Sequence, residues 1–308
     1  MIAPVAAHRS PAAPRRRGGT ALLGDLLDDA ERRILASRQA DLWKPWVARA
    51  DAEEIAELVL GRTIGDDDLD QPLSAATRRR LQAMFQRRID GEPLAMIRGW
   101  IDFRGLRLTV RGDVFTPRPS SELLAIEAIR RLRRRRRPVA VDVATGAGPV
   151  ALAVGDAVPG ARVIGLDIAA RAVSLARSNA RRLAVGNVEF RRSDMLAGLP
   201  RPLRRQVDVI TFHPPYVAGH ELKTLPGEIA RFEPVESLTD RSSDGLGLVR
   251  HLADEATAWL RPGGWVLVEV GPYLARSATA VLRRGGIRDL RSLRDGLAVT
   301  RVLAGQAP

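Results

Sequence analysis

The residues best suited to binding chemistry lie in a glycine-containing loop, Asp142-Val143-Ala144-Thr145-Gly146-Ala147-Gly148, which follows a short apolar run. A glycine loop between a strand and a helix lets a ligand approach the backbone beside the positive end of the helix. Pro149 follows the loop and suits the first helical turn, where its missing N–H costs no hydrogen bond. The loop predicts a ligand site, although many α/β proteins have glycine turns at this position.

Two aspartates end later apolar runs, at positions from which they could hold a nucleoside. Asp167 follows the glycine loop by about 20 residues, a spacing at which an acidic side chain accepts hydrogen bonds from both ribose hydroxyls. Asp194 ends the next run, where it could accept from an adenine amino group. With their neighbours Ile168 and Met195 they form the predicted nucleoside site. The alternatives are structural: a strand-end cap for Asp167 and a helix N-cap for Asp194.

The segment His213-Pro214-Pro215-Tyr216 ends a fourth apolar run. Prolines have no backbone N–H, so the two consecutive prolines leave their carbonyl oxygens free at the edge of the sheet. They also stiffen the loop that displays the imidazole and the phenol. We predict that these four residues form a catalytic turn; the alternative is a rigid strand exit without a chemical role.

The elements that must position these residues alternate between strands and helices. Short runs rich in Val and Ile are separated by helical patterns at 150–157, 171–184 and 246–260, which is typical of a parallel sheet with helices on both faces. The segments 287–293 and 297–303 flank Arg294-Asp295-Gly296 and predict a closing antiparallel hairpin. The predicted parallel strands are Val139–Val143, Arg162–Ile168, Val188–Arg191, Val207–Phe212 and Trp265–Val270.

The N-terminal third of the chain has a different pattern. Residues 1–19, rich in Pro, Ala and Arg, predict a disordered basic arm. Residues 20–92 have apolar side chains at three- and four-residue spacing, which predicts a small helical domain in which Ser74 caps one helix. Alternation from Leu106 to Arg111, with a turn at Gly112-Asp113, predicts a β-hairpin linker within 93–119. Residues 120–308 form the predicted catalytic domain, which begins with a helix over 120–132.

Composition narrows the class of protein. The chain has 308 residues, no cysteine and four histidines, which excludes disulfide frameworks, thiolate zinc sites and cysteine nucleophiles and counts against a histidine metal cage. No apolar run approaches the roughly 20 residues of a membrane span, so we expect a cytoplasmic protein without a membrane partner. The net charge of +13 comes almost entirely from arginine. Few aromatic residues accompany it, so we interpret Arg133 to Arg137 as a solvated helix end and do not expect a nucleic-acid partner.

Taken in order, these motifs resemble those of the HemK/PrmC release factor glutamine methyltransferases, a family of class I S-adenosylmethionine-dependent enzymes. The likeness runs from about residue 20 to 305 and is most specific at Thr116-Pro117-Arg118-Pro119-Ser120-Ser121-Glu122, followed by the glycine loop and the Pro-Pro-Tyr turn. Further matching segments are Gly91-Glu92-Pro93-Leu94-Ala95, Gly99 with Phe103-Arg104-Gly105, Glu233-Pro234, Asp244-Gly245-Leu246 and Pro262-Gly263-Gly264.

The resemblance implies a Rossmann-like α/β fold with a seven-stranded sheet, a small N-terminal all-helical docking domain and a β-hairpin linker. It implies methyl transfer from S-adenosylmethionine, without a metal, to the side-chain amide nitrogen of a glutamine in the Gly-Gly-Gln loop of a peptide-chain release factor. We expect a monomer. The residues that would line the substrate cleft are Pro117, Arg118, Pro119 and Glu122. The residues that would bind the cofactor are Asp142, Ala144, Thr145, Gly146, Gly148, Asp167, Ile168, Asp194, Met195 and His213.

Three positions depart from the family's pattern. The first glycine of the family's loop is Ala144 here, a replacement that we expect to require a negative φ at that residue. The usual Pro-Glu-Thr-Glu segment reads Pro119-Ser120-Ser121-Glu122. The Asn of the family's Asn-Pro-Pro-Tyr turn is His213, and this change bears directly on the methyl acceptor.

The change to His213 leaves the methyl acceptor open. An Asn side chain offers an acceptor and donors on one head group, whereas a neutral His offers one acceptor and one donor on opposite ring edges. His213 could replace part of the Asn role toward a glutamine amide, serve as a general base toward a small-molecule amine, hydroxyl or acid, or only pack at the cleft wall. Two hypotheses remain beside these: methylation of a nucleic-acid amine, against which the lack of a base-recognition domain counts, and a cofactor-binding module without catalysis.

Overall fold

The computed structural model describes residues 22–37 and 45–308, so the arm predicted over 1–19 lies outside the described residues. From residue 139 onward short strands alternate with helices, whereas most of the described chain before residue 100 is helical. The strands are β1 (Trp100–Phe103), β2 (Leu106–Thr109), β3 (Val139–Val143), β4 (Arg162–Asp167), β5 (Val188–Arg192), β6 (Val207–Phe212), β7 (Leu260–Glu269), β8 (Arg288–Arg294) and β9 (Thr300–Gln306). The α-helices are α1 (Leu23–Ala36), α2 (Pro45–Leu60), α3 (Ala75–Ile89), α4 (Leu94–Arg98), α5 (Glu122–Leu132), α6 (Pro149–Ala157), α7 (Ala170–Arg182), α8 (Gly227–Phe232), α9 (Gly247–Trp259) and α10 (Ala275–Arg284).

Seven strands form one open sheet in the order β5-β4-β3-β6-β7-β9-β8. The strands β3 to β7 are parallel, β9 is antiparallel to β7, and β8 is antiparallel to β9. The chain winds from β3 outward to β5 and then returns to β6 on the other side of β3. Because the strand order reverses there, the loops that follow β3 and β6 separate and leave a crevice at their carboxyl ends.

Helices cover both faces of this sheet because its central strands are apolar on both faces. The strand Val207–Phe212 is buried at every residue, which is typical of a central parallel strand. One face packs against α5, α6 and α7 through side chains such as Leu124 and Val173. The other face packs against α9 and α10 through Leu252 and Leu282. The predicted α/β class with helices on both faces is confirmed.

The predicted strands fall where the structure has them. Val139–Val143 and Val207–Phe212 have the predicted bounds. The strand β7 begins at Leu260 and not at Trp265, because Leu260 pairs with Val207 beyond a shift in register. The antiparallel hairpin predicted near the C-terminus is confirmed by the pairing of β8 with β9.

The four helices before β1 share a hydrophobic cluster of their own. Leu27, Ile55 and Phe85 are buried among α1, α2 and α3. The Ser74 hydroxyl oxygen accepts a hydrogen bond from the Thr77 backbone N–H at 3.1 Å, so the predicted N-cap of α3 is confirmed. The described part of this region is helical as predicted, whereas the domain boundaries at 19/20, 92/93 and 119/120 stay predictions.

The β-hairpin that follows these helices turns earlier than the sequence suggested. Phe103 of β1 pairs with Leu106 of β2, so Arg104 and Gly105 form the turn. Their φ angles of 53° and 81° are those of a two-residue turn of type I′, which matches the twist of the flanking strands. The turn predicted at Gly112-Asp113 is present, since the Val114 N–H donates a hydrogen bond to the Arg111 carbonyl oxygen at 3.0 Å, but it follows β2 and does not connect the two strands of the hairpin.

The surface of the described chain is strongly basic. Arg133 to Arg137 are all exposed at the end of α5, so the predicted solvated helix end is confirmed. Arg135 pairs with Asp208 at 3.0 Å, so part of this charge is balanced within the chain. Within residues 22–37 and 45–308, no helix combines the length and the apolar character needed to cross a bilayer.

Candidate active site

A cavity opens where the loops after β3, β4, β5 and β6 meet at the switch point of the sheet. The segment before α5 and the segment after α8 complete its walls. The predicted site residues that line it are Pro117, Arg118, Asp142, Ala144, Thr145, Gly146, Asp167, Ile168, Asp194, Met195, His213, Pro214 and Pro215. Four predicted site residues lie outside this lining: Pro119, Glu122, Gly148 and Tyr216.

Asp142 anchors the glycine loop from the end of β3. Its buried carboxylate accepts hydrogen bonds from the hydroxyls of Thr145 at 2.6 Å and Thr211 at 2.7 Å. Burial raises the pKa of the Asp142 carboxyl from 3.8 to about 6, because a low-dielectric environment disfavours the charged form. Since both oxygens are engaged by hydroxyls of the protein, the main role of Asp142 is to fix the shape of the loop.

The expectation that Ala144 has a negative φ is wrong. Its φ is +53°, in the left-handed region. An L-residue with a Cβ is strained there by roughly 1–2 kcal/mol, which is why the family's glycine suits this position. The strain is imposed by the loop, whose Thr145 N–H reaches across to the Leu166 carbonyl oxygen of the neighbouring strand at 2.9 Å. The loop therefore has a left-handed conformation, typical of glycine, at a residue that is not glycine.

The two remaining glycines of the loop have different roles. Gly146 has φ +55° and a Cβ built on it would meet no atom within 4 Å, so a ligand has open space beside the backbone. A Cβ on Gly148 would lie 2.9 Å from Cζ of Phe190. Gly148 therefore allows α6 to pack closely against β5, and it supports the site without lining the cavity.

Asp167 and Ile168 form a polar and an apolar surface side by side at the end of β4. The Asp167 carboxylate accepts hydrogen bonds from the backbone N–H groups of Gly146 and Ala169, both at 2.9 Å. Burial raises the pKa of this carboxyl, while these hydrogen bonds oppose the shift. Ile168 is 59% exposed although it lines the cavity. Asp167 thus caps local backbone groups, as the structural alternative held, and each oxygen retains a lone pair for a hydroxyl of a ligand.

The next loop, after β5, presents Asp194 to the cavity. Asp194 is exposed, and its carboxylate forms no hydrogen bond with the described part of the chain. The backbone there is held instead by Ser193, whose hydroxyl oxygen accepts from the Gly198 N–H at 2.7 Å. Met195 is buried with φ +43° and turns the chain at this point. The N-cap alternative for Asp194 thus finds no support, since the side chain that caps the turn is Ser193.

His213 lies at the opposite end of the cavity, where β6 ends. Its Nδ1 is 3.1 Å from the Ser121 hydroxyl oxygen and 3.3 Å from Oε2 of Glu269. The ring of Phe115 meets the imidazole edge-on, with centroids 5.6 Å apart, and the Tyr216 ring stacks on it at 5.8 Å. The imidazole is therefore held on three sides by elements that are far apart in the sequence.

A buried ion pair closes the roof of the cavity. Glu233 accepts hydrogen bonds from the Thr116 backbone N–H at 3.1 Å and from the Arg118 guanidinium at 3.0 Å. Burial raises the pKa of the Glu233 carboxyl, and the Arg118 charge acts in the opposite direction. A second ion pair, between Arg171 and Glu236, joins two residues that line the cavity. The Pro-Arg-Pro segment and the Glu-Pro segment are thus tied together above the ligand space.

Three predicted residues stand behind the cavity wall. Tyr216 packs on the far side of His213, and burial raises the pKa of its phenol. Pro119 begins the short turn that leads into α5. Glu122 accepts a hydrogen bond from the Arg104 backbone N–H at 3.3 Å, so its carboxylate binds the hairpin turn. Their assignment to catalysis or to the substrate cleft stays a prediction.

Glu269 and Ser121, which both lie beside His213, are among the site residues that the sequence analysis did not select. Ser121 belongs to the segment that carries the family resemblance, and it lines the cavity. Glu269 is the last residue of β7, next to β6 in the sheet. A carboxylate at the carboxyl end of a strand beside the catalytic turn was a usable signal, but only the strand order shows that β6 and β7 are neighbours.

The sheet order, the antiparallel last strands, the glycine loop after β3 and the acid after β4 together define a class I S-adenosylmethionine-dependent methyltransferase. A family model described as a methyltransferase domain matches residues 137–269. The release factor glutamine methyltransferase of Bordetella pertussis is 36% identical over 266 residues, 85% of this chain and 96% of that protein. The one of Burkholderia pseudomallei is 36% identical over 78% of this chain and 84% of that protein.

The chain belongs to the release factor glutamine methyltransferase family. A solved structure of a release-factor-specific protein-(glutamine-N5) methyltransferase from Alicyclobacillus acidocaldarius is 26% identical and covers 62% of this chain and 93% of that chain, with a TM-score of 0.38. The family assignment depends on the sequence relatives, which match nearly the whole chain.

The residues of the cavity fit S-adenosylmethionine. The open space at Gly146 admits a ligand against the backbone, the remaining lone pairs of Asp167 suit ribose hydroxyls, and exposed Ile168 offers an apolar surface for a base. When bound, S-adenosylmethionine supplies an electrophilic methyl group on a positively charged sulfur. In the described residues, no group of three or more His, Asp and Glu side chains is placed to hold a metal ion.

Proposed function

We propose that this enzyme transfers the methyl group of S-adenosylmethionine to the side-chain amide nitrogen of a glutamine in the Gly-Gly-Gln loop of a peptide-chain release factor. The observation that carries the proposal is the extent of the likeness to relatives named for this activity, which spans 85% of this chain. A match of this length extends into the N-terminal helices and includes the hairpin as well as the methyltransferase domain. We also propose that the enzyme acts as a monomer in the cytoplasm.

The part of the cavity around His213 and Pro214, which we call the acceptor corner, supplies groups that can hold an amide. The amide nitrogen is a weak nucleophile because its lone pair is delocalised into the carbonyl group, so the enzyme gains mainly from alignment and exclusion of water. Pro214 lines the cavity, and its carbonyl oxygen accepts no hydrogen bond from the described residues. Together with the His213 ring it provides two acceptors for the two amide protons.

We propose that the N-terminal helices take part in docking the protein substrate. Arg88 of α3 is buried and pairs with Asp51 of α2 at 2.6 Å and with Glu228 of α8 at 3.2 Å. The helix α8 leads directly into Glu233 and Pro234 at the roof of the cavity. The ion pairs of Arg88 therefore connect the N-terminal helices, which would contact the substrate, to the segment that covers the cofactor space.

A second candidate function follows from His213. A relative with His in place of Asn could N- or O-methylate a small molecule, with the imidazole as general base. The observation that favours this alternative is the carboxylate of Glu269 beside the imidazole, at 3.3 Å. Methylation of a nucleic-acid amine is a weaker candidate, because residues 22–37 and 45–308 contain no separate base-recognition domain.

The deciding experiment incubates the enzyme with labelled S-adenosylmethionine and, in turn, a purified release factor, total RNA and a small-molecule extract. We expect label in the release factor, and its loss when the glutamine of the Gly-Gly-Gln loop is replaced by Ala. Label only in the extract or only in RNA would contradict the proposal in favour of the corresponding alternative. The His213→Asn variant restores the family's turn: if it gains release-factor activity that the natural enzyme lacks, the natural acceptor is another molecule.

A further inference from the structure

Glu269 is a buried carboxylate that methyl transfer as described above does not use. It is 3% exposed, and its Oε2 accepts no hydrogen bond of good geometry from the described residues. The same atom lies 3.3 Å from Nδ1 of His213. A buried charge without a donor destabilises a protein, so a positive or polarised partner is needed beside it. The imidazole is the partner within reach.

The tautomer of His213 follows from its two neighbours at Nδ1. The Ser121 hydroxyl, at 3.1 Å, can donate to Nδ1 or accept from it, so it is compatible with either tautomer. The carboxylate of Glu269 is compatible only with the tautomer that carries its proton on Nδ1. An unprotonated Nδ1 would place its lone pair within 3.3 Å of a negative charge, whereas an Nδ1–H places a positively polarised hydrogen beside that charge. The proton therefore belongs on Nδ1, and the lone pair of the ring is on Nε2.

The remaining surroundings leave Nε2 available to a ligand. Phe115 and Tyr216 contact the imidazole with ring carbons, and the Arg118 guanidinium lies over the Phe115 ring, 4.7 Å from its centroid. No described residue forms a hydrogen bond with Nε2, and His213 lines the cavity. The acceptor atom of the ring is thus left without a partner among the described residues, in a side chain that lines the cavity.

We propose that Glu269 is a positioning residue that holds His213 as the Nδ1–H tautomer, so that Nε2 accepts the proton of the methyl acceptor. The inference rests on the methyl-transfer function proposed above, but not on which acceptor is used. In the step, the lone pair of the acceptor atom forms the bond to the methyl carbon while the carbon–sulfur bond breaks and its electron pair stays on sulfur. The proton of the acceptor atom passes to Nε2, and the imidazolium that results faces Glu269 until it releases a proton to solvent.

Long-range ¹H–¹⁵N NMR of the protein with ¹⁵N-labelled histidine tests the tautomer without cofactor or acceptor. The chain has four histidines, so the His213→Asn variant identifies the signals of His213. At mildly alkaline pH, where imidazoles are neutral, we expect wild-type His213 to carry its proton on Nδ1. We expect Glu269→Gln to shift the proton toward Nε2, which a free histidine side chain favours in water.

The chain offers a matched control for the change at Glu269. Glu255 Oε1 lies 3.4 Å from His251 Nε2 in an exposed pair on α9, and Glu255→Gln should leave the His213 signals unchanged. Ser121→Ala should retain the Nδ1–H tautomer, because the carboxylate determines it. A wild-type His213 protonated on Nε2, or an unchanged tautomer in Glu269→Gln, would overturn the proposal. The wild-type spectrum decides by itself if Glu269→Gln does not fold.

Kinetics separate a positioning role from a merely structural one. On the acceptor that the wild type labels, Glu269→Gln should lower kcat by about 10- to 100-fold, less than the roughly 10²- to 10⁴-fold of general-base catalysis, because the imidazole itself is retained. The KM for S-adenosylmethionine should stay unchanged, because Glu269 does not line the cavity. A matching loss of cofactor affinity would indicate a structural role and overturn the proposal. If no acceptor is labelled at all, the proposed function fails, while the NMR measurement still decides the tautomer.

Discussion

Replacing Asp167 with Asn tests whether the end of β4 holds the ribose of the cofactor. The two carboxylate oxygens already accept the N–H groups of Gly146 and Ala169 at 2.9 Å. We expect their remaining lone pairs to accept the two ribose hydroxyls of S-adenosylmethionine. Asn has one oxygen and an NH₂ group in place of the second oxygen, so one hydroxyl and one backbone N–H lose their acceptor. The negative charge of the carboxylate is lost for both ribose hydroxyls.

The size of the effect can be worked out from these contacts. A hydrogen bond to a charged group contributes about 1.5–3 kcal/mol, more than a neutral one. Two ribose hydroxyls that lose the charged acceptor therefore cost about 3 kcal/mol of binding free energy, which corresponds to a rise in Kd on the order of 100-fold. Burial raises the pKa of the Asp167 carboxyl. The protonated side chain is uncharged, like Asn, and so it binds the ribose hydroxyls less well than the carboxylate does. The affinity of the wild type should accordingly fall as the pH drops through that raised pKa.

Isothermal titration calorimetry with S-adenosylmethionine measures the change directly. Asp156→Asn is the matched control, because Asp156 is exposed on α6 and outside the cavity, and its Kd should equal that of the wild type. Urea denaturation of each variant reports the stability of the loop separately. If Asp167→Asn lowers stability and leaves Kd within threefold of the wild type (roughly 0.7 kcal/mol), Asp167 is only a strand-end cap and our assignment is refuted.

Three further substitutions test the physical account of the fold and the loop. Ala144→Gly removes the roughly 1–2 kcal/mol of strain at φ +53° but costs about 0.4–1 kcal/mol through the greater entropy of the unfolded chain. Urea denaturation should therefore show that the free energy of unfolding rises by about 0.5–1 kcal/mol. A lower free energy of unfolding would contradict the left-handed conformation. Because the pKa of Asp142 is about 6 in the folded protein against 3.8 ordinarily, the native state binds this proton more tightly. The stabilisation from this bound proton is present below about pH 4 and disappears as the pH rises through 6. The stability of the wild type relative to Asp142→Asn should therefore fall by up to about 3 kcal/mol between these pH values. A stability difference that does not change with pH would refute the raised pKa. Arg88→Met leaves Asp51 without its buried partner and removes the ion pair with Glu228, and it should cost about 3–5 kcal/mol in urea denaturation; a neutral effect would show that the ion pair does not hold α3 to α8.

Much of the fold could be predicted because it follows from local pattern. Apolar runs of four to six residues rich in Val and Ile can bury both faces only in a sheet covered by helices, and their alternation with helical patterns makes the sheet parallel. The hairpin turn was misplaced because the apolar alternation continues past the end of β2, whereas Arg104 and Gly105 adopt positive φ without a strong turn signal at the first position.

The candidate site could be predicted residue by residue where each residue ends a strand, since parallel strands present their carboxyl ends at one edge. The φ of Ala144 could not be predicted, because it depends on the bond from Thr145 N–H to the neighbouring strand. The contact of Glu269 with His213 could not be predicted from the sequence either. It requires the order of β6 and β7 and the exact point at which β7 ends, neither of which the separate sequence segments contain.

The pairing of Glu269 with His213 changes what the replacement of Asn means for the reaction. With its proton on Nδ1, His213 keeps the acceptor half of the Asn head group at Nε2 and gives up the donor half to Ser121 and Glu269. The corner then offers Nε2 and the Pro214 carbonyl oxygen as acceptors, which still matches an acceptor group with two N–H protons. An Asn carbonyl can only hold such a proton, whereas a neutral imidazole can remove it. Under our proposal for His213, the same substitution preserves recognition of an amide and adds a base, so methylation of glutamine and methylation of a more acidic nitrogen would differ in how far the proton must move.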